Sequence, residues 1–358
     1  LAPFPGSRLA DQRHPLNPAL FLVCAGLGLS LLACSRGPDT STSASKTPPT
    51  GQPRVVAADG VLCDLTQRLA GGELAVSCLL QPADDPHDFR LRPDQKAQIT
   101  DASLLLISGF DLTPALSGLP GAVAVSEQAV TQPLRLTPVS GSESTDHHDH
   151  SAEDHHGAGH DHGDYDPHVW HNPRQAAAMA AVIADQLGRL EPTASGDIQR
   201  RSKAMAEQLE SLDAWNRAQF DAIPRPWPAL ASSHRAFASL AQAYGLKELP
   251  LVDATSTSDA LRPEGFRKVI EALNADSTPR LFAEQIPPAK ALQRISELSG
   301  VPIAPVPLAA DGLAMGPDTP LSLMATLVRN TCTIVEGWGG SCDRKGGEAL
   351  VQAWSRIS

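Results

Sequence analysis

Histidine is concentrated in one part of this 358-residue chain. The stretch DHHDHSAEDHHGAGHDHGDYDPHVWHNP, Asp146 to Pro173, holds nine of its twelve histidines. Near neutral pH an imidazole can move a proton or ligate a metal, and spacing divides the nine between settings. His147, His148, His150, His155, His156, His160 and His162 alternate with Asp and Glu where alanine is the only apolar residue. Such a segment cannot pack a core, and its composition favours cation capture by a mobile chain. His168 instead closes an Asp-Pro-His tripeptide, which occurs once more at His87 in DDPHDFRLRPDQ. His234 in ASSHRAF and Asp311 in LAADGLA complete a set of three imidazoles and one carboxylate. That donor set suits four-coordinate Zn(II), with Zn–N distances of about 2.0–2.1 Å.

These four residues are remote in sequence, so only a fold can assemble them. Short apolar runs fit buried strands: VVAA (55–58), AVSCLL (75–80), LLLIS (104–108) and AVAVS (122–126). The segments between them, LCDLTQRLAG and RPDQKAQITDA, carry helical spacing with Gly or Pro at their ends. The second half repeats the pattern with PALASS (228–233), ELPLVDA (248–254), PRLFAE (279–284) and VPIAPVPL (301–308), and a final helix from Pro320 to about Gly337. The predicted fold class is α/β, with two lobes each built on a mostly parallel four-stranded sheet flanked by helices. One helix is expected over Asn172–Leu190. A second, from about Ala194 to Phe220, would reach roughly 40 Å and join the lobes as a rigid strut. Residues 54–190 form the first lobe, with the histidine-rich loop at 140–165. Residues 191–223 form the link and 224–358 the second lobe. All four metal-site candidates then fall at carboxyl ends of parallel strands, where open α/β sheets bind ligands.

Composition limits the partners. Hydrophobic residues at 42% and charged residues at 19% suit a globular protein. The 40 acidic against 29 basic residues, net −11, argue against nucleic acid. Arg8, Arg13 and His14 precede the apolar run Ala19–Cys34, the layout of a secretory signal over residues 1–33. It ends Leu-x-Ala-Cys, which resembles a bacterial lipobox with Cys34 as the lipidated residue. Residues 34–53, rich in Ser, Thr and Pro, read as a disordered tether. The expected location is the periplasm or extracytoplasmic face, with lipid as the sole membrane attachment and the protein a monomer. In that oxidising setting Cys63, Cys78, Cys332 and Cys342 suggest two disulfides. Spacing favours Cys63–Cys78 and Cys332–Cys342 without proving either.

In combination, DPHDF around His87, DPHVW around His168, SHRAF around His234, FAEQ around Glu284 and ADGLA around Asp311 resemble the cluster A-I solute-binding lipoproteins of bacterial ABC importers for zinc and manganese. The likeness runs from about Val55 to the C-terminus. It implies two α/β lobes joined by one long helix, with the metal between them and a membrane permease with its ATPase as partners. The third ligand position, Glu in manganese importers and His in zinc importers, is His234 here. The resemblance implies Zn(II) as cargo, with a manganese-specific protein as the alternative. It leaves the fourth place to Asp311 or water and gives Glu284 the role of orienting an imidazole. Zinc-type relatives often carry a histidine-rich loop at this position. Relatives often have Leu-Asp where this chain has His171 and Asn172, and His171 is expected to face solvent rather than act as an accessory ligand. A zinc-buffering or adhesin lipoprotein would use the same residues. HDHGDY (160–165) resembles a metallohydrolase motif, but Tyr165 stands where that motif needs histidine. No nucleophile elbow or phosphate loop is present, so no enzyme activity is expected.

Overall fold

The computed structural model describes residues 52–82, 84–136, 165–251, 263–285 and 290–357. The expected signal, Cys34, the tether as far as residue 51, and His147 to His162 lie outside the described residues. None of the described helices is long and apolar enough to cross a membrane.

The first sheet joins β1 (Arg54–Ala57), β2 (Ala75–Cys78), β3 (Leu104–Ile107) and β4 (Ala122–Ala124), all parallel, in the order β2-β1-β3-β4. Its crossovers are α1 (Gly60–Ala70) and α2 (Pro93–Thr100). Asp59 starts α1, its carboxylate accepting from the Leu62 amide at 3.0 Å. Gly71 ends it in the left-handed region, at φ 55°. The run expected to be a strand through Ser126 is shorter, because Val125–Ala129 turns into a helix, α3. Then α4 (Pro173–Leu190) begins on Asn172, whose side chain caps the Arg174 amide, with Pro173 at its first position.

The second sheet holds β5 (Leu230–Ser232), β6 (Glu248–Pro250) and β7 (Leu281–Phe282), parallel in the order β6-β5-β7. Of the expected fourth strand, 301–308, only two parallel bridges remain, Leu281 with Ile303 and Glu284 with Leu308. Pro302, Pro305 and Pro307 explain this, since each lacks the amide proton that a ladder needs. Around this sheet lie α6 (Ala238–Tyr244), α7 (Pro263–Ala275) and α8 (Lys290–Ser299), followed by α9 (Leu323–Gly337) and α10 (Arg344–Ser355). Helix α10 has no counterpart among the elements expected from the sequence, of which α9 is the last.

The connection between sheets is α5, Ser195–Asp221, a 27-residue helix. Its Ile198, Met205, Leu209 and Leu212 are buried in the first core, while Phe220 near its end joins the second. Helix α9 packs along α5 and makes the same passage, with Leu323, Met324 and Leu327 in the first core and Ile334 and Val335, with Trp338 just past its end, in the second. Each fully buried side chain of this kind contributes about 1.5–3 kcal/mol. Two packed helices therefore span the cores where one was expected, and Trp354 of α10 also returns to the first. The disulfides follow the favoured pairing. Cys63–Cys78 ties α1 to the end of β2, and Cys332–Cys342 ties α9 to the segment before α10.

Candidate metal centre

Both Asp-Pro-His tripeptides fold in the same way. The Asp85 carboxylate accepts from the His87 amide and the Asp166 carboxylate from the His168 amide, each at 2.9 Å. Proline restrains φ between them, and the short local bond sets the histidine on a rigid turn. His87 lies in the loop between β2 and α2, and His168 just before a 3-10 turn, Val169–His171, that leads into α4. His234 follows β5 by two residues, and Asp311 follows the proline-rich run. Two of the four thus come from each half of the chain. The expected placement at strand ends holds for His87 after β2 and His234 after β5, whereas α3 separates His168 from β4 and Asp311 follows only an isolated bridge at Leu308.

The structure brings together all four residues expected to bind metal. One donor atom from each of His87, His168, His234 and Asp311 lies within 4.8 Å of the others. The Nε2 atoms of His87 and His168 stand 3.0 and 2.9 Å from Asp311 Oδ1, and that of His234 stands 3.3 Å from it. The three rings are mutually inclined, with centroids 5.3–5.7 Å apart, so they converge on a point instead of stacking. Their side chains are 0–4 % exposed, and that of Asp311 is 1 % exposed. His234 Nε2 and Asp311 Oδ2 are buried without a hydrogen-bond partner. The buried His234 Nε2, which belongs to the converged set and lacks a partner, is what a bound cation would satisfy.

Surrounding carboxylates turn the rings. Glu284 accepts from the His234 amide at 3.1 Å and from His234 Nδ1 at 2.6 Å. Asp166 lies 3.2 Å from His168 Nδ1, while its other oxygen receives the amide and hydroxyl of Ser239 at 2.9 and 2.5 Å. A proton held on Nδ1 leaves the Nε2 lone pair facing the centre. Glu284 thus holds the orienting position that the family resemblance implies, while the parts of Asp166 and Ser239 were not expected. The signal for Asp166 was present in the tripeptide itself, whereas nothing in the sequence pointed to Ser239.

Electrostatics at the centre are severe. Burial alone would lower the His234 pKa, but the Glu284 and Asp311 carboxylates outweigh it and hold the ring well above the ordinary histidine value. For His168 burial is likewise outweighed, by Asp166 and Asp311, and its pKa is raised. Burial would raise Asp311 and Asp166, yet the adjoining imidazoles hold Asp311 well below the usual carboxylate range and Asp166 below it too. The cluster draws positive charge inward, as protons or as a metal cation.

One expectation fails. His171 does not face solvent; it is 1 % exposed, and its Nε2 lies 2.9 Å from the Ala310 carbonyl oxygen. Trp170 on one side and Phe237 on the other cover the ring, and an apolar enclosure of that size outweighs the polarity that suggested exposure. Burial lowers its pKa to about 4, so the ring is neutral.

Residues 55–337 match the family model described as zinc-uptake complex component A, periplasmic. The iron-binding protein YfeA of Yersinia pestis is 26% identical over 329 residues, covering 90% of this chain and 96% of its own length. The manganese ABC transporter substrate-binding lipoprotein PsaA of Streptococcus mitis is 23% identical over 281 residues, covering 76% of this chain and 83% of the relative. Among solved structures, the periplasmic zinc-binding protein TroA of Treponema pallidum superposes with a TM-score of 0.68 at 22% identity, over 80% of this chain and 99% of that one.

Proposed function

Since this chain belongs to the zinc-uptake complex component A family, we propose that it captures Zn(II) outside the cytoplasm and delivers it to the membrane permease of an ABC importer. His87, His168, His234 and Asp311 would be its ligands. Binding metal for a transporter, not catalysis, is the business of this family. The observation that carries the zinc reading is the third imidazole, His234, set by Glu284 with its free nitrogen toward the centre. Imidazole suits zinc, whereas manganese prefers carboxylate, carbonyl and water oxygens. Three imidazoles and one carboxylate would supply zinc with four protein ligands. The relatives named for manganese and iron supply the competing reading. In this account Cys34 carries the lipid that keeps the protein at the membrane, and the histidine-rich segment gathers ions for the centre.

Titration calorimetry of purified protein with Zn²⁺ and Mn²⁺ tests the assignment. The parent is expected to prefer zinc, and His234→Glu to shift the zinc-to-manganese affinity ratio toward manganese by roughly 10-fold or more. An unchanged ratio would remove the basis for zinc.

A further inference from the structure

His171 is outside the donor set, yet it stands where three of the four donor-bearing loops meet. It lies three residues beyond His168, and its Nε2 is 2.9 Å from the carbonyl oxygen of Ala310, the residue before Asp311. Its ring lies 4.7 Å, centroid to centroid, from that of Phe237, three residues beyond His234. The Asp311 loop is gripped from the other side as well. Asn330 on α9 donates to the Ala309 carbonyl at 2.8 Å and accepts from the Ala309 amide at 3.0 Å. Consecutive residues before Asp311 are therefore held by α9 and by the turn that bears His168. The bond from His171 ties the first half of the chain to the backbone of this loop, beside the contacts that His87 and His168 make with the Asp311 side chain.

A carbonyl accepts only, so the neutral ring must carry its proton on Nε2 and donate. An apolar side chain of similar size could fill the space, but it would leave the buried Ala310 oxygen short of a donor. That deficit is relieved most easily by movement of the loop, and Asp311 moves with it.

We infer that His171 is a positioning residue: by donating to Ala310 it latches the Asp311 loop against the His168 turn and prolongs the stay of the bound ion. The inference rests on the reading of the four residues as an ion site. Contacts that hold a bound partner show mostly in its dissociation rate, so the latch acts mainly on release.

The test is stopped-flow release of zinc into excess chelator from the full-length protein, comparing parent, His171→Phe, His171→Leu and His171→Gln. Phe keeps a ring against Phe237 without a donor, Leu keeps only bulk, and Gln restores a donor without the ring. Phe and Leu are expected to release zinc roughly 10-fold faster with little change in association rate, and Gln to recover most of the parental lifetime. Cobalt-loaded His171→Phe should also show altered visible d–d bands, since displacement of Asp311 changes the ligand field. Should the Phe variant fail to fold, the Leu and Gln pair gives the same comparison. Parental release rates in the variants lacking a donor, or equal acceleration in Gln, overturn the latch. A parent that holds no zinc overturns the ion-site reading itself, and the latch with it.

Discussion

At the scale of single residues, the centre competes with protons for its cargo. A metal-bound imidazole must be neutral at its donor nitrogen. Without metal, the Glu284 and Asp311 carboxylates outweigh burial and hold His234 well above the ordinary histidine value, and His168 is also raised, so protons oppose the metal here more strongly than at a free imidazole. Zinc binding must expel whatever proton such a ring holds at its donor nitrogen. The sign follows: affinity rises with pH through the elevated pKa and falls as acid restores the imidazolium. The decline should begin at a higher pH than an unperturbed histidine near 6.5 would predict. Calorimetry at pH 7 in buffers of different ionisation enthalpy is expected to report net proton release, and an affinity unchanged between pH 8 and pH 6 would contradict the assignment. The tripeptides made His87 and His168 legible because Asp, Pro and His act on one another locally. Ser239 was illegible because its partner Asp166 is distant in the chain. His171 was misjudged for the same reason: polarity can be read from a sequence, whereas enclosure by Trp170 and Phe237 cannot.

At the scale of elements, β2 and the loop carrying His87 depend on α1 for support. Cys63–Cys78 joins them across 15 residues of sequence, and closing a loop of that length constrains the unfolded chain by about 3 kcal/mol. The double substitution Cys63→Ala, Cys78→Ala is therefore expected to lower unfolding free energy by about 2–4 kcal/mol in metal-free protein, measured by urea denaturation. A change within error would show that packing alone holds the element. Strand positions were legible where apolar runs are uninterrupted, as in VVAA and LLLIS. They failed where local chemistry opposed the ladder: three prolines reduced 301–308 to isolated bridges, and Val125 begins a helix that cuts β4 short. Helix α10 escaped notice although Asp343 caps it, its carboxylate accepting from the Gly346 amide at 2.9 Å. The adjacent Gly346 and Gly347 mask that start, since glycine weakens a helical pattern.

At the scale of the whole molecule, the preformed cluster and the histidine-rich segment should bind with different strength. The cluster is buried, oriented by Glu284 and Asp166, and backed by two cores that α5 and α9 connect. A segment whose only apolar residues are alanines cannot preform a packed site and must lose conformational entropy on binding, which weakens it. Deletion of residues 141–164 is accordingly expected to leave one tight zinc site per molecule and to abolish only weaker additional binding, as calorimetry would show. Loss of the tight site on deletion would place the cargo in the segment instead.

Sequence alone determined the donor types, the parallel α/β character and the favoured disulfide pairs, because each rests on residue chemistry or short-range spacing. Tertiary structure decided that His87, His168, His234 and Asp311 share a center less than 5 Å across, that α9 doubles the connecting helix, and that His171 grips the Asp311 loop. The physical reason is range: caps, turns and periodicity act within a few residues. Convergence of groups hundreds of residues apart depends on how two hydrophobic cores pack.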